Sequence, residues 1–293
     1  MENLKKFFDK NKIDYYFDFD ISQFSSIKIG SIIKLLILPK TTKELELILK
    51  FFYRKKIFYR VFGNLSNVLF TSKIDYPVIL TSKMQAEISL NKNLVTVSSG
   101  VLISKLCDYL KKHNLSGFEP LSGIPATIGG AIFNNAGAFG CSISDNLVSV
   151  LVFFEGKTLL LKKSDIKFQY HHASLFGFIV LQATFLFENQ NEYDIIKMFN
   201  EFTYKRNLTQ PSGFSLGSVY KKCNGVSAGF YIERSGLKGS KVGGIIISKK
   251  HANFFINENL GSSYDFLALC KNTEDIVYKN FGVTLYTEIE KVG

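Results

Sequence analysis

The first stretch with chemical potential lies mid-chain and is built from small residues. From Glu119 to Gly140 the sequence runs EPLSGIPATIGGAIFNNAGAFG, with glycines at 123, 129, 130, 137 and 140, Pro125, and the pair Asn134–Asn135. Almost nothing in it is charged. Glycine lets a bulky group lie against bare main chain. Successive main-chain N–H groups in such a loop form a concavity suited to an anion. Any one glycine pair reads as a tight turn; so many around the apolar run AxIGGAIF read as a ligand cradle. A shorter loop, GNLSN, spans Gly63 to Asn67 before the strand-like VLF. Its Ser66 and Asn67 carry groups that hydrogen-bond phosphate, although an ordinary turn uses the same residues. Two of the chain's four histidines are adjacent, at 171 and 172, and paired surface histidines on a loop are the plainer reading.

These residues need elements to hold them. Residues 1–20 read as an amphipathic helix with Leu4, Phe7 and Phe8 on one face. SSIKIGSIIKLLILPKT reads as strands. A helix, TKELELILKFFYRKK, follows the Thr41–Thr42 caps. IFYRVFG is a strand, so strand, helix, strand and glycine turn make a βαβ unit. YPVILTS and LVTVSSG are strands, VLISKLCDYLKKHNL a helix, and 145–190 a series of strand-like runs. The helix DIIKMFNEFTYKRNL leads to a turn at Gln210–Pro211, the candidate boundary of a smaller α/β unit.

Composition narrows the class. With 293 residues, the chain can bury a sizeable core and form two or three domains. An apolar fraction of 46% and a charged fraction of 21% suit a soluble globular protein. The net charge of +11 raises nucleic-acid binding, but the basic residues are scattered without a run. A solvated surface, or a substrate bearing phosphates, explains the charge better. The cysteines at 107, 141, 223 and 270 show no CxxC, so neither metal nor disulfide framework is expected. No run reaches the ~20 apolar residues of a membrane span, and the N-terminus has no signal-peptide pattern. The expected setting is the cytoplasm, and the expected state a monomer.

Several motifs together resemble one family. GxExLxGIPxxxGGAxxxNAGAxG stands here as Gly117, Glu119, Leu121, Gly123–Ile124–Pro125, Gly129–Gly130–Ala131, Asn135–Ala136–Gly137–Ala138 and Gly140. It is similar to the signature of the bacterial UDP-N-acetylenolpyruvoylglucosamine reductases (MurB), with Ala126 in place of the commoner glycine. The GNLSN loop resembles that family's GxGSN, with Leu65 at a glycine position. Ile29–Gly30–Ser31 stands where IGG is usual. RxxxQP (Arg206, Gln210, Pro211), SGLKG (235–239) and KHANFxxN (250–257) resemble further landmarks. The likeness is weak before residue 60 and strong at 117–140 and 206–257.

The resemblance implies an α+β fold: an FAD-binding domain of the vanillyl-alcohol-oxidase/MurB type in two α/β lobes, plus a smaller C-terminal α/β substrate domain. The expected divisions are 1–75 for the first lobe, joined by a C-terminal strand at 284–293, 76–205 for the second, and 206–283 for the substrate domain. It implies non-covalent FAD held by Gly63, Ser66, Asn67, Gly123, Ile124, Pro125, Gly129, Gly130, Asn135, Ala136, Gly137 and Gly140, with NADPH as co-substrate. It implies reduction of UDP-N-acetylglucosamine enolpyruvate to UDP-N-acetylmuramate. Ser218 would give the proton and Glu288 would stabilise the intermediate; Lys221, Lys222 and Tyr170 would bind substrate. The family's FxYRxS arginine is replaced: the sequence reads Phe168–Gln169–Tyr170–His171–His172–Ala173–Ser174, with His171 at the arginine position. Arginine is permanently charged and bidentate; histidine is charged only below ~6.5. Lys222 and Cys223 replace an Asn-Pro, and Tyr286 replaces a glutamate. The length resembles the shorter family type that lacks a substrate-capping tyrosine loop. Other readings are an FAD-linked oxidase of a small alcohol or sugar, and a flavin or nucleotide-sugar binder without turnover.

Overall fold

Helix α1 (Glu2–Asn11) buries Phe8 and stacks Phe7 on Phe51, ring centroids 3.8 Å apart. Phe51 belongs to α2 (Thr42–Lys55), whose buried residues Leu45, Ile48, Leu49 and Phe52 form one helical stripe. Thr41 caps α2 by accepting the Glu44 N–H, and Lys56 ends it in the left-handed conformation. The computed structural model describes residues 2–293. It divides into two units: 2–18, Lys34–Asn64 and Tyr76–Lys205 form the first; Phe19–Ile33, Leu65–Asp75 and Arg206–Gly293 form the second.

The first unit carries two sheets. The four-stranded one has the order Asp14–Asp20, Ile32–Leu38, Ile74–Leu80, Arg60–Phe62. Arg60–Phe62 runs parallel to Val78–Leu80. The helix expected over 1–20 therefore stops at Asn11, and Asp14–Asp20 is a strand. The DYYFDFD alternation has a period of two and lays Tyr15 and Phe17 against the core. The strand expected from Ser25 begins only at Ile32; Ile27 and Ile29 are buried but lie in turns.

The second sheet has five strands in the order Lys157–Lys162, Leu147–Phe154, Ile179–Leu186, Leu94–Ser98, Ile88–Asn91. Its neighbouring strands pair antiparallel. Ile88–Asn91 had no counterpart in the sequence reading; four residues leave too short a pattern. Helices α3 (Ile103–Lys112) and α4 (Ile128–Phe133) share this sheet's core with Val95, Val97, Val150 and Phe185. Helix α5 (Glu192–Thr209) closes the unit's run of chain.

The second unit has a four-stranded sheet in the order Phe214–Ser218, Phe254–Asn257, Ile245–Ile247, Lys241–Val242. Helices α6 (Ala228–Arg234) and α7 (Ser263–Phe281) pack with it around Phe255, Phe266, Leu269 and Val277. A capping box between Ser262 and Asp265 starts α7. Glu290–Val292 pairs in parallel with Val68–Phe70, so the last strand and the segment after GNLSN share one ladder. Asn257 donates to the Ile27 carbonyl at 2.9 Å and ties in the segment 19–33.

Candidate active site

In the first unit the two loops lie side by side. Asn64 Nδ2 donates to the Pro125 carbonyl at 2.9 Å. A Cβ on Gly63 would stand 2.2 Å from Thr127 Oγ1, so glycine is what lets the loops meet. Thr127 also caps α4 by accepting the Gly130 N–H at 3.3 Å. Gly129 has the same constraint: a Cβ there would lie 2.9 Å from Ser99 Cβ. Gly137 pairs with Ser142 and Ala138 with Cys141 in a short ladder. Gly140 has φ +83° with nothing near its would-be side chain, so its need is conformational. A Cβ on Gly130 would meet only an ordinary 3.4 Å contact. Gly123 and Pro125 are exposed, Ile124 and Ala136 half-buried.

The idea of bared amides needs correction at the start of α4. Ile128 donates to Val101 O and Gly129 to Ser99 O, each at 2.8 Å. With Gly130 bonded to Thr127, three successive N–H groups already have protein partners. The ligand cue comes from side chains instead. Among the described residues, Ser99 Oγ, Glu119 Oε1 and Asn135 Oδ1 are buried without a hydrogen-bond partner. Glu119 and Asn135 belong to the glycine loop, and Ser99 lies against Gly129. Buried polar atoms are seldom left unpaired. A polar ring system with a diphosphate fits such a place, and FAD is one.

Asn135, held at φ +41°, also reaches sideways: its Nδ2 donates to Gln169 O at 2.9 Å. Gln169 begins a hairpin in which Phe168 pairs with Ala173 and Gln169 with His172. Tyr170 and His171 form its tip, rings edge to face with centroids 4.1 Å apart, and His171 has φ +51°. His172 is therefore a strand residue and His171 the tip residue. The extra residue before Ser174 is taken up at the hairpin base, where Ser174 Oγ accepts from the Lys167 N–H at 2.9 Å. In the same region burial, then Asp145 and Glu119, push the Cys141 thiol up to about 11. It is no thiolate at neutral pH.

In the second unit Ser218 follows Gly217, which sits at φ +77° in an irregular stretch of the ladder between Ser215 and Ser218. The chain after Ser218 pairs with the C-terminal segment. Glu288 N–H donates to Val219 O at 2.8 Å, Lys221 N–H donates to Tyr286 O at 2.9 Å, and Tyr220 bridges Thr287. The Glu288 main chain, distant in sequence, thus lies against Val219, the residue after Ser218; Ser218 and Glu288 are both half-buried. Asn67 braces the carboxylate's main chain, with Nδ2 on Glu288 O at 3.1 Å and Glu290 N–H on Asn67 O at 2.9 Å. One of the two N–H donors of that amide is used on protein. Ser66 is half-buried; Leu65, at φ +52°, is 2% exposed, so its side chain is folded inward. Lys221, Lys222 and Tyr286 are exposed. Arg206 Nη1 donates to Gln210 Oε1 at 2.8 Å, locking the end of α5, and burial lowers its pKa.

Sequence reasoning passed over Ser99, Asn64 and Thr127. Only Thr127 had a cue, as a threonine directly before a helix. Among the described residues no cluster of His, Cys, Asp or Glu could hold a metal, and no helix is long and apolar enough to cross a membrane.

Fold and loops define a class: a flavoprotein on an FAD-binding domain of the vanillyl-alcohol-oxidase/MurB type, with an added α/β domain. The family model described as FAD binding domain matches residues 33–160. That of the UDP-N-acetylenolpyruvoylglucosamine reductase C-terminal domain matches residues 210–292. The chain is 36% identical to the UDP-N-acetylenolpyruvoylglucosamine reductase of Caldicellulosiruptor saccharolyticus, covering 97% of this chain and 94% of that one. It is 38% identical to that of Thermosipho melanesiensis, covering 90% and 91%. The crystal structure of the Thermus caldophilus reductase superposes with a TM-score of 0.81 at 27% identity, over 96% of this chain and 99% of that one. The chain belongs to the UDP-N-acetylenolpyruvoylglucosamine reductase family.

Proposed function

We propose that this chain reduces UDP-N-acetylglucosamine enolpyruvate to UDP-N-acetylmuramate for peptidoglycan synthesis, with FAD as cofactor and NADPH as reductant. The observation that supports the reading is the pairing of 219–221 with 286–288 on the reductase-type domain, which sets the Glu288 main chain against the residue after Ser218. FAD supplies the hydride chemistry, linking NADPH oxidation to reduction of the enolpyruvyl double bond. Gly63, Ser66, Asn67, Gly123, Ile124, Pro125, Gly129, Gly130, Asn135, Ala136, Gly137 and Gly140 would hold it. Asn135 Oδ1 and Ser99 Oγ are the buried atoms open to it. Ser218 holds the proton destined for the substrate carbon, and Glu288 supports that transfer. His171, at the hairpin tip with Tyr170, faces the carboxylate end of the substrate. Lys221 and Lys222 offer charge to its diphosphate. The functional division is two FAD-binding lobes, 1–75 with 284–293 and 76–205, and a substrate domain at 206–283. The protein works in the cytoplasm as a monomer and without nucleic acid.

A specific observation favours one variant of this reading: histidine at the arginine position offers one bond per nitrogen, which gives a slower enzyme or a binder without turnover. The purified protein should be yellow and should oxidise NADPH only when the enolpyruvyl sugar is present. A colourless protein removes the flavoenzyme reading. A yellow one without turnover leaves the binder.

A further inference from the structure

We propose that Asn253 is a positioning residue for Ser218, fixing the main chain that follows the serine. The inference rests on the role given to Ser218 above. Asn253 is 4% exposed. Its Oδ1 accepts from the Tyr220 N–H at 3.0 Å, and its Nδ2 donates to the Tyr220 carbonyl at 2.8 Å. Its own carbonyl accepts from the Val219 N–H at 2.8 Å. The amide thus behaves as a peptide group set into the ladder.

The reason lies one step earlier. The pairing of Phe214–Ser218 with Phe254–Asn257 is irregular between Ser215 and Ser218, where Gly217 has φ +77°. Such an irregularity re-aims a side chain and interrupts ladder bonds. Ser218 rejoins the ladder opposite Phe254, and beyond it the neighbouring chain leaves the strand. Asn253 supplies the donor and acceptor that a continuing strand would have given. Asparagine has both; an apolar residue would leave the buried Tyr220 N–H and C=O without partners. The other edge of the same segment bonds to Tyr286 and Glu288. Asn253 therefore sets Ser218 and the serine's distance from Glu288 together.

Asn253 is itself held. Its N–H donates to His251 Nδ1 at 3.2 Å. Burial lowers the His251 pKa, opposed by a backbone hydrogen bond, with Lys238 adding to the lowering and Glu233 opposing it. Ser248 Oγ accepts from the N–H groups of Lys250 and His251, closing the turn.

The test uses the full-length holoenzyme with Asn253→Ala and Asn253→Asp, reading flavin content, kcat and KM against pH, and amide hydrogen exchange at Val219 and Tyr220. Asn253→Ala should keep its flavin and its KM while kcat falls ~10- to 100-fold, the span of a lost buried hydrogen-bond pair. Exchange at Val219 and Tyr220 should speed up. Asn253→Asp has the same shape, and its protonated carboxyl restores one donor and one acceptor. Its kcat should therefore rise as pH falls, in a range that burial lifts above the usual carboxylate value. His251, Tyr220, Glu288, Lys238 and Glu233 surround the site in wild type as well, so the wild-type profile is the baseline. If Asn253→Ala does not fold, Asn253→Asp carries the test. Wild-type kcat in Asn253→Ala, a pH-independent Asn253→Asp, or unchanged exchange would overturn the inference while leaving the reductase reading intact. A wild-type protein that turns over no enolpyruvyl sugar sinks both.

Discussion

At the scale of single residues, the departures from family pattern are the most informative positions. His171 stands at a hairpin tip where the family has arginine. Histidine loses its charge in the neutral range and arginine keeps it. If His171 meets the substrate carboxylate, His171→Arg, which offers two parallel N–H donors to a carboxylate, should raise kcat/KM. An active parent with an inactive arginine variant would instead give His171 a role of its own. Gly63 is a second test, argued from space. Its would-be Cβ stands 2.2 Å from Thr127 Oγ1, close enough that something must move. Gly63→Ala should part the two loops and lower stability by about 1–3 kcal/mol, with flavin lost on dilution. Adding Thr127→Ala removes the clashing oxygen, so the double variant should retain more flavin than Gly63→Ala alone. If it retains less, the strain lies elsewhere.

At the scale of elements, Asn135 joins the glycine loop to the hairpin through Gln169 O. Asn135→Ala should therefore weaken two things that look unrelated, flavin retention and KM for the enolpyruvyl sugar. One lost hydrogen bond of about 1 kcal/mol predicts ~5-fold in each; a change in flavin alone would mean the hairpin stands without it. This joint was not legible in the sequence, and the reason generalises. Helices α2, α3 and α5 were legible because their apolar spacing is local. The strand Asp14–Asp20 was missed because a helical pattern before it was carried on too far. The loops were legible as loops, since glycine content and family likeness are also local. What they touch was not: Gly63 against Thr127 and Val219 against Glu288 depend on contacts between distant stretches. The anion-cradle argument failed at Ile128 and Gly129 for the same reason, because their partners Val101 and Ser99 lie in another strand–helix turn.

At the scale of the whole molecule, the net charge of +11 acts on any anionic substrate. Ion pairs such as Lys6–Glu2 and Lys271–Asp275 are exposed and contribute little to stability. The surplus charge has its effect on encounter rather than fold. A substrate with a diphosphate and a carboxylate is drawn by the summed field, and salt shortens that field's reach from ~10 Å at 0.1 M to ~3 Å at 1 M. KM for the enolpyruvyl sugar should rise with added sodium chloride while kcat and flavin content stay nearly constant. Two sources of that slope can be separated. If the scattered lysines act together, neutralising one at a time, as in Lys34→Gln, shifts KM little and leaves the slope unchanged. If Lys221 and Lys222 do most of the binding, Lys221→Gln should raise KM ~10-fold and make the slope visibly shallower, since one contact with a phosphate is gone. A slope untouched by Lys221→Gln would move the diphosphate away from that segment, and a salt-independent KM would mean that the surplus charge serves solubility alone.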